Sequence, residues 1–212
     1  MEARDAEDDV FWEPAARTSA EIKIKRSLFI GYLCPCRNAE EVRGILAGVE
    51  SGHRDATHHC WAYRLADPQI EHSSDDGEPA GTAGKPILSA IRQSGMVNVM
   101  VVVTRYFGGV KLGVRGLIEA YGQAAASVVS KAGRVSRVRS RRLVIRFPYA
   151  IIGEITHFLE VHGIVDIPAW SYGSEVEVAA NVRMSVVSQI ASVLDEFQAR
   201  KRIHSWNWVL PN

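Results

Sequence analysis

Residues 97–104 read Val-Asn-Val-Met-Val-Val-Val-Thr, almost all apolar and β-branched, and a glycine-rich stretch lies on either side. Branching at Cβ stiffens the side chain and favours extended backbone, and an apolar run without alternation marks a strand buried on both faces. The chain must therefore lay structure over both sides of this strand. The most apolar stretch, residues 96–103, is eight residues long and contains Asn98, far short of the ~20 residues that span a bilayer. A transmembrane segment is not expected.

At 212 residues the chain has room for one large domain or two small ones. Its 25 Lys+Arg against 24 Asp+Glu give a net charge of +1, so bulk charge does not mark it as a polyanion binder, and any nucleic-acid role must come from local segregation of charge. The first twenty residues hold six acids and two bases, the reverse of a secretory or mitochondrial signal. Without apolar periodicity, residues 1–20 read as a flexible acidic tail. Cys34, Cys36 and Cys60 are an odd, sparse set, too closely spaced at 34 and 36 for a zinc knuckle. Reduced thiols and a cytoplasmic location are the expectation.

Order is expected from about residue 21. Ile22, Ile24, Leu28, Ile30 and Leu33 suggest two short strands, or one bent about 25–27. Asn38 followed by Glu41 resembles a capping box, opening a helix to about residue 50 with Val42, Ile45, Leu46 and Val49 on one face. Gly44 and Gly48 weaken it by up to ~1 kcal/mol each. Residues 58–65 read as a strand, 73–86 as a long loop, 87–93 as a short helix ended by Gly95, 105–113 as a second loop, and 114–131 as an amphipathic helix. Residues 131–146 carry seven bases and no acid, which reads as a linker. Beyond it come strand 143–147, helix 151–162 closed by Gly163, a hairpin of 164–172 and 175–181 turning at Gly173-Ser174, a helix through Phe197, and strand 203–209. This βαββαβ order is a ferredoxin-like plan. The expected organisation is a tail over 1–20, an N-terminal α/β domain over 21–137 and a C-terminal domain over 138–212, α+β overall.

Two segments concentrate the chemistry. The first, residues 73–86, has glycines at 77, 81 and 84, the acids Asp75, Asp76 and Glu78, and then Thr82, Gly84 and Lys85. Its amides at 82–85 should open a helix, where free N–H groups and the dipole favour an anion. A P-loop is excluded, because Pro79 and Pro86 stand where Gly and Ser/Thr are required. The three acids have alternative roles: holding Mg²⁺, capping the loop's own amides, or pairing with Arg105, Lys111 or Arg115. The second segment, Thr104 to Leu117, joins Arg105, Lys111 and Arg115 to two aromatics, a pattern that suits RNA or a nucleotide. Tyr106 and Phe107 read alternatively as core anchors. Arg141 and Arg142 in the basic run could add phosphate contacts. His58 and Cys60 could share a strand face, whereas His58 and His59 point to opposite ones, so a metal site is not favoured. Neither Cys60 with a histidine nor Ser74 with His72 has an activating frame for acyl transfer.

The run from Ser74 to Pro86 and that from Val103 to Gly113 resemble the IMPACT family, in particular its bacterial YigZ-type members. The resemblance begins near Lys25-Ser27-Phe29-Ile30, takes in His58, Cys60, Tyr63 and Arg64, and runs through Tyr121-Gly122. Arg115 departs from it, standing where the bacterial pattern has Gly. The resemblance implies an N-terminal domain like domain IV of elongation factor G, with a left-handed βαβ crossover, and a ferredoxin-like C-terminal domain like domain V. It also implies a translation-linked regulatory role, with RNA or the ribosome as partner. The reading is then a regulator without a catalytic site, its anion-binding surface formed by Thr82, Gly84, Lys85, Arg105, Lys111, Arg115, Arg141 and Arg142. Its alternatives are a Mg²⁺-dependent enzyme acting on a phosphorylated small molecule and a protein-interaction module.

Overall fold

The computed structural model describes residues 9–162, 164–166 and 169–209, and the chain divides into two compact units. One comprises residues 12–136, the other residues 9–11 with 137 onward.

The larger unit is built on a five-stranded sheet of order β2-β3-β6-β4-β5, antiparallel throughout. Its strands are β2 (Thr18–Ile24), β3 (Ser27–Pro35), β4 (His58–Ala66), β5 (Gln69–Ser74) and β6 (Val99–Tyr106). β6 lies at the centre and is buried on both faces, as its apolar run predicts. Val99, Val101 and Val103 enter one core with α2 (Gly84–Ser94) and α3 (Gly113–Ala132), while Met100 and Val102 enter another with Val42 of α1 (Ala39–Gly52). The start of α1 is the expected cap: Asn38 Oδ1 accepts the Glu41 N–H at 2.9 Å, and Glu41 Oε2 accepts the Arg37 N–H at 2.9 Å. α2 ends at Gly95, whose φ of 72° suits the left-handed cap that glycine adopts without a Cβ clash.

The second unit carries a four-stranded antiparallel sheet of order β11-β8-β10-β9. The chain runs β8 (Ser140–Phe147), α4 (Ile152–Val161), β9 (Ala169–Tyr172), β10 (Val176–Arg183), α5 (Val187–Ala199), β11 (Ser205–Val209). Leu143, Ile145 and Phe147 alternate into its core, packing with Ile155 and Phe158 of α4 and Ile190 and Leu194 of α5.

Several expectations change. The acidic segment is strand from Val10: β1 (Val10–Pro14) pairs with β7 (Arg134–Val138), and β2 already starts at Thr18. Of the acids that argued for a tail, Asp9 and Glu13 find partners far along the chain, while Glu2, Asp5, Glu7 and Asp8 lie outside the described residues. Asp9 accepts from the Ser185 N–H and hydroxyl, and Glu13 accepts the Asn98 side-chain amide at 2.7 Å. The basic run is strand as well, in β7 and β8. Register leaves three residues, not two, between Tyr172 and Val176, so the hairpin turn is longer by Glu175. The expected cap at Gly163 lies outside the described residues. Among the described residues no helix is long and apolar enough to cross a membrane.

Candidate functional site: a sealed polar core under two glycine-rich loops

The loop over residues 75–83 closes on itself through Asp75. Its Oδ1 accepts the N–H groups of Ala83 and Gly84 at 2.9 and 2.8 Å, and its Oδ2 accepts that of Gly81 at 2.8 Å. Two of these, at Ala83 and Gly84, are among the amides of 82–85 that the sequence offers to an external anion, and the protein's own carboxylate occupies them. Burial alone would raise the Asp75 pKa, but the three amides and the nearby Lys85 charge outweigh it and hold the carboxyl below its usual range. Gly84 is required here, since a Cβ would lie 2.9 Å from the Ser74 backbone. The Thr82 N–H and hydroxyl both donate to the Pro79 carbonyl, so Thr82 too is turned inward.

Asp76 and Glu78 tie the loop to β4, β6 and α3. Asp76 Oδ2 accepts the His59 N–H at 2.5 Å, and its carbonyl accepts from His58 Nδ1 at 2.7 Å. The Asp75 carbonyl accepts the Cys60 thiol at 3.0 Å. Glu78 Oε1 accepts from both the Arg105 guanidinium and the Tyr121 hydroxyl, the latter at 2.8 Å. Burial, with Cys60 and the Glu78 carboxylate beside it, drives the Tyr121 hydroxyl far above the usual range of a phenol, so it acts as a donor. Arg105, only 5% exposed, lies between the rings of Phe29 and Phe107 at 5.5 and 5.4 Å from its Cζ.

The second loop packs directly on the β2–β3 turn. Lys25 and Arg26 both have positive φ, as a two-residue turn matched to strand twist requires. A Cβ at Gly108 would fall 2.0 Å from the Arg26 carbonyl oxygen, so only glycine fits. The Gly108 N–H donates to Ser27 Oγ at 3.2 Å and that of Phe107 to Thr57 Oγ1 at 3.1 Å.

The two segments thus come together, but as one another's partners. Arg105, Thr82 and Gly84 leave the set of anion contacts, the first neutralised by Glu78 and the others engaged within the loop. Lys85 and Lys111 remain exposed, and Arg115, 93% exposed at its side chain, pairs with Glu119 one helical turn on, at 2.9 Å. In the second unit Arg142 is exposed, and Arg141 lies over the Trp208 ring at 5.3 Å. Asp75, Asp76 and Glu78 each have their own partners, and among the described residues no three His, Cys, Asp or Glu side chains gather to hold a metal. Burial pushes the Cys60 thiol up to about 12, the wrong direction for a nucleophile. Ser74 Oγ accepts the Asp76 N–H at 3.2 Å, and His72 lies against the Tyr63 ring. Tyr121 is the member that residue patterning passed over, sitting on the apolar face of a helix. Its signal was the phenol itself among alanines, because a buried hydroxyl needs a partner.

Fold and site together define a two-unit α+β protein whose larger unit seals a neutralised polar core beneath paired glycine-rich loops. The Impact N-terminal domain model matches residues 25–129, which hold both loops. IMPACT family member YvyE of Bacillus subtilis is 34% identical over 169 residues, covering 76% of this chain and 78% of that protein. IMPACT family member YigZ of Escherichia coli is 43% identical over 112 residues, covering 51% of this chain and 55% of that one. A crystal structure of a hypothetical protein superposes with a TM-score of 0.64 at 28% identity, over 96% of this chain and 98% of the other. The chain belongs to the IMPACT family, among its bacterial YigZ-type members.

Proposed function

We propose that this protein is a translation-linked regulator that binds RNA or the ribosome through exposed arginines and lysines, the two-loop core serving as a rigid frame. One observation carries the reading: in the second unit Arg139, Arg141 and Arg142 have no carboxylate partner among the described residues, and two of them lie over aromatic rings, Arg139 over Phe11 and Arg141 over Trp208. A guanidinium lying on a ring keeps its N–H groups available in a fixed plane, which suits phosphate. In the larger unit, exposed Lys85 and Lys111 offer further positive charge. Membership of the IMPACT family supports the link to translation. The βαββαβ order, with β8 between β11 and β10, supports a ferredoxin-like second unit like domain V of elongation factor G, beside a first unit like domain IV. Three free thiols support a reducing, cytoplasmic setting.

The test is fluorescence anisotropy with single-stranded RNA, and cosedimentation with ribosomes, over a salt series. With three phosphate contacts, affinity for single-stranded RNA should fall roughly tenfold or more between about 50 and 200 mM salt. Arg141→Ala with Arg142→Ala should flatten that slope. Binding that ignores salt, or that the double variant leaves intact, refutes the reading.

Exposed Phe107, Val110, Val114 and Ile118 favour the protein-interaction reading. A partner retained after nuclease treatment and lost in Val114→Asp would establish it.

A further inference from the structure

On the opposite face of the five-stranded sheet from α2 and α3, a cavity of about 510 Å³ opens between α1 and strand β3. It lies apart from the two-loop core and owes nothing to the RNA reading. Its volume is within the usual range for small-molecule sites. Tyr32 and Cys34 of β3 line it on one side, Ile45 and Val49 of α1 on the other, with Arg17 and His53 also in its lining.

The polar groups here are arranged with one hydrogen to spare. Tyr32 Oη lies 2.5 Å from His53 Nε2, and His53 Nδ1 lies 2.8 Å from Tyr106 Oη. With the imidazole neutral, two phenols and one ring N–H supply three hydrogens for two contacts. When Tyr106 donates to Nδ1, Nε2–H donates to Tyr32, and the Tyr32 hydroxyl keeps its own hydrogen. Tyr32 faces the cavity, so that hydrogen is available to an acceptor within it. Arg17 supplies charge: it has no carboxylate partner among the described residues, and it is close enough to act on the Cys34 thiol. Glu41, the acid in the lining, is turned to the helix cap, accepting from the Arg37 N–H and the Asn38 side-chain amide.

The α1 wall is flat for no internal reason. A Cβ at Gly44 or Gly48 would meet nothing within 4 Å, so no neighbouring atom demands glycine, while each glycine costs the helix about 1 kcal/mol relative to alanine. Ile45 and Val49 beside them give the wall an apolar character suited to a ring.

We propose that this cavity binds a small aromatic anion. Its ring lies against Gly44 and Gly48, and its anionic oxygen accepts the Tyr32 hydroxyl hydrogen and faces Arg17. Binding selects the His53 tautomer that carries its proton on Nε2.

The test is titration of the full chain with 8-anilinonaphthalene-1-sulfonate, an aromatic monoanion, followed by fluorescence and calorimetry. Saturable binding at one site per chain is expected. Gly48→Leu fills the cavity with a better helix former and should abolish binding while keeping the far-UV circular dichroism. Arg17→Gln, at an exposed side chain, should weaken binding about tenfold, the effect of one charge-assisted contact, and Tyr32→Phe by a similar factor. Gly122→Leu, in the separate cleft between α2 and α3, should leave binding unchanged. Absence of saturable binding overturns the proposal. So does binding that survives Gly48→Leu, or that Gly122→Leu removes instead.

Discussion

Asp75 Oδ1 accepts the Gly84 N–H at 2.8 Å, so a carboxylate nine residues upstream fills the start of α2. Free amides and the positive end of the helix dipole converge there, and the chain supplies its own counter-charge. Asp75→Ala should cost about 3 kcal/mol, because three N–H groups, two of them on buried residues, lose a charged acceptor. Denaturant unfolding at neutral pH measures it.

The same carboxyl sets an acid limit. Its folded pKa is held below the ordinary value, so its contribution is complete above about pH 4, where the unfolded group titrates, and is lost as pH falls through the lower folded value. Stability measured against pH from about 6 to 2 should show a shallower acid limb in Asp75→Ala than in the unaltered protein.

Glu78 and Arg105 are buried together, and Tyr121 donates to the same oxygen. Removing either charge strands the other, so Glu78→Ala and Arg105→Ala should each cost about 3–5 kcal/mol. The double variant should cost well below their sum. Strict additivity in unfolding experiments would show that the pair is not coupled.

Two glycine substitutions should move stability in opposite directions. Gly44→Ala places a methyl in open space on α1 and should stabilise by about 1 kcal/mol. Gly108→Ala drives a methyl into the Arg26 carbonyl and should destabilise strongly, with a melting temperature well below that of the unaltered protein. Thermal unfolding of the two side by side decides it.

Burial pushes the Cys36 and Cys60 thiols up to about 12, whereas Cys34, also raised by burial, is only partly buried and sits beside Arg17, which lowers it. Alkylation of the native protein near pH 7.5 should therefore label Cys34 first and leave the other two unmodified until denaturant is added. Peptide mapping by mass spectrometry reads this directly.

Residue patterning made the central strand, the Asn38 cap and the inward alternation of Leu143, Ile145 and Phe147 legible, because each is a local consequence of side-chain shape and spacing. It failed where partners are distant in sequence. Glu13 looked like part of a solvated tail until Asn98, 85 residues away, proved to hold it. For Arg105 two readings stood side by side, a phosphate contact and a partner for one of the loop acids; the acid that takes it, Glu78, lies 27 residues upstream, across a loop whose course no periodicity describes. Charge counted along a chain says nothing of which charges meet.

The fit of Gly108 against Arg26 has a dynamic corollary. Because the loop touches the turn backbone to backbone, it cannot lift without dislodging the strand pair behind it. The amides of Gly108, Phe107 and the β2–β3 ladder should then exchange hydrogen in one concerted opening, making this rim a single mechanical part.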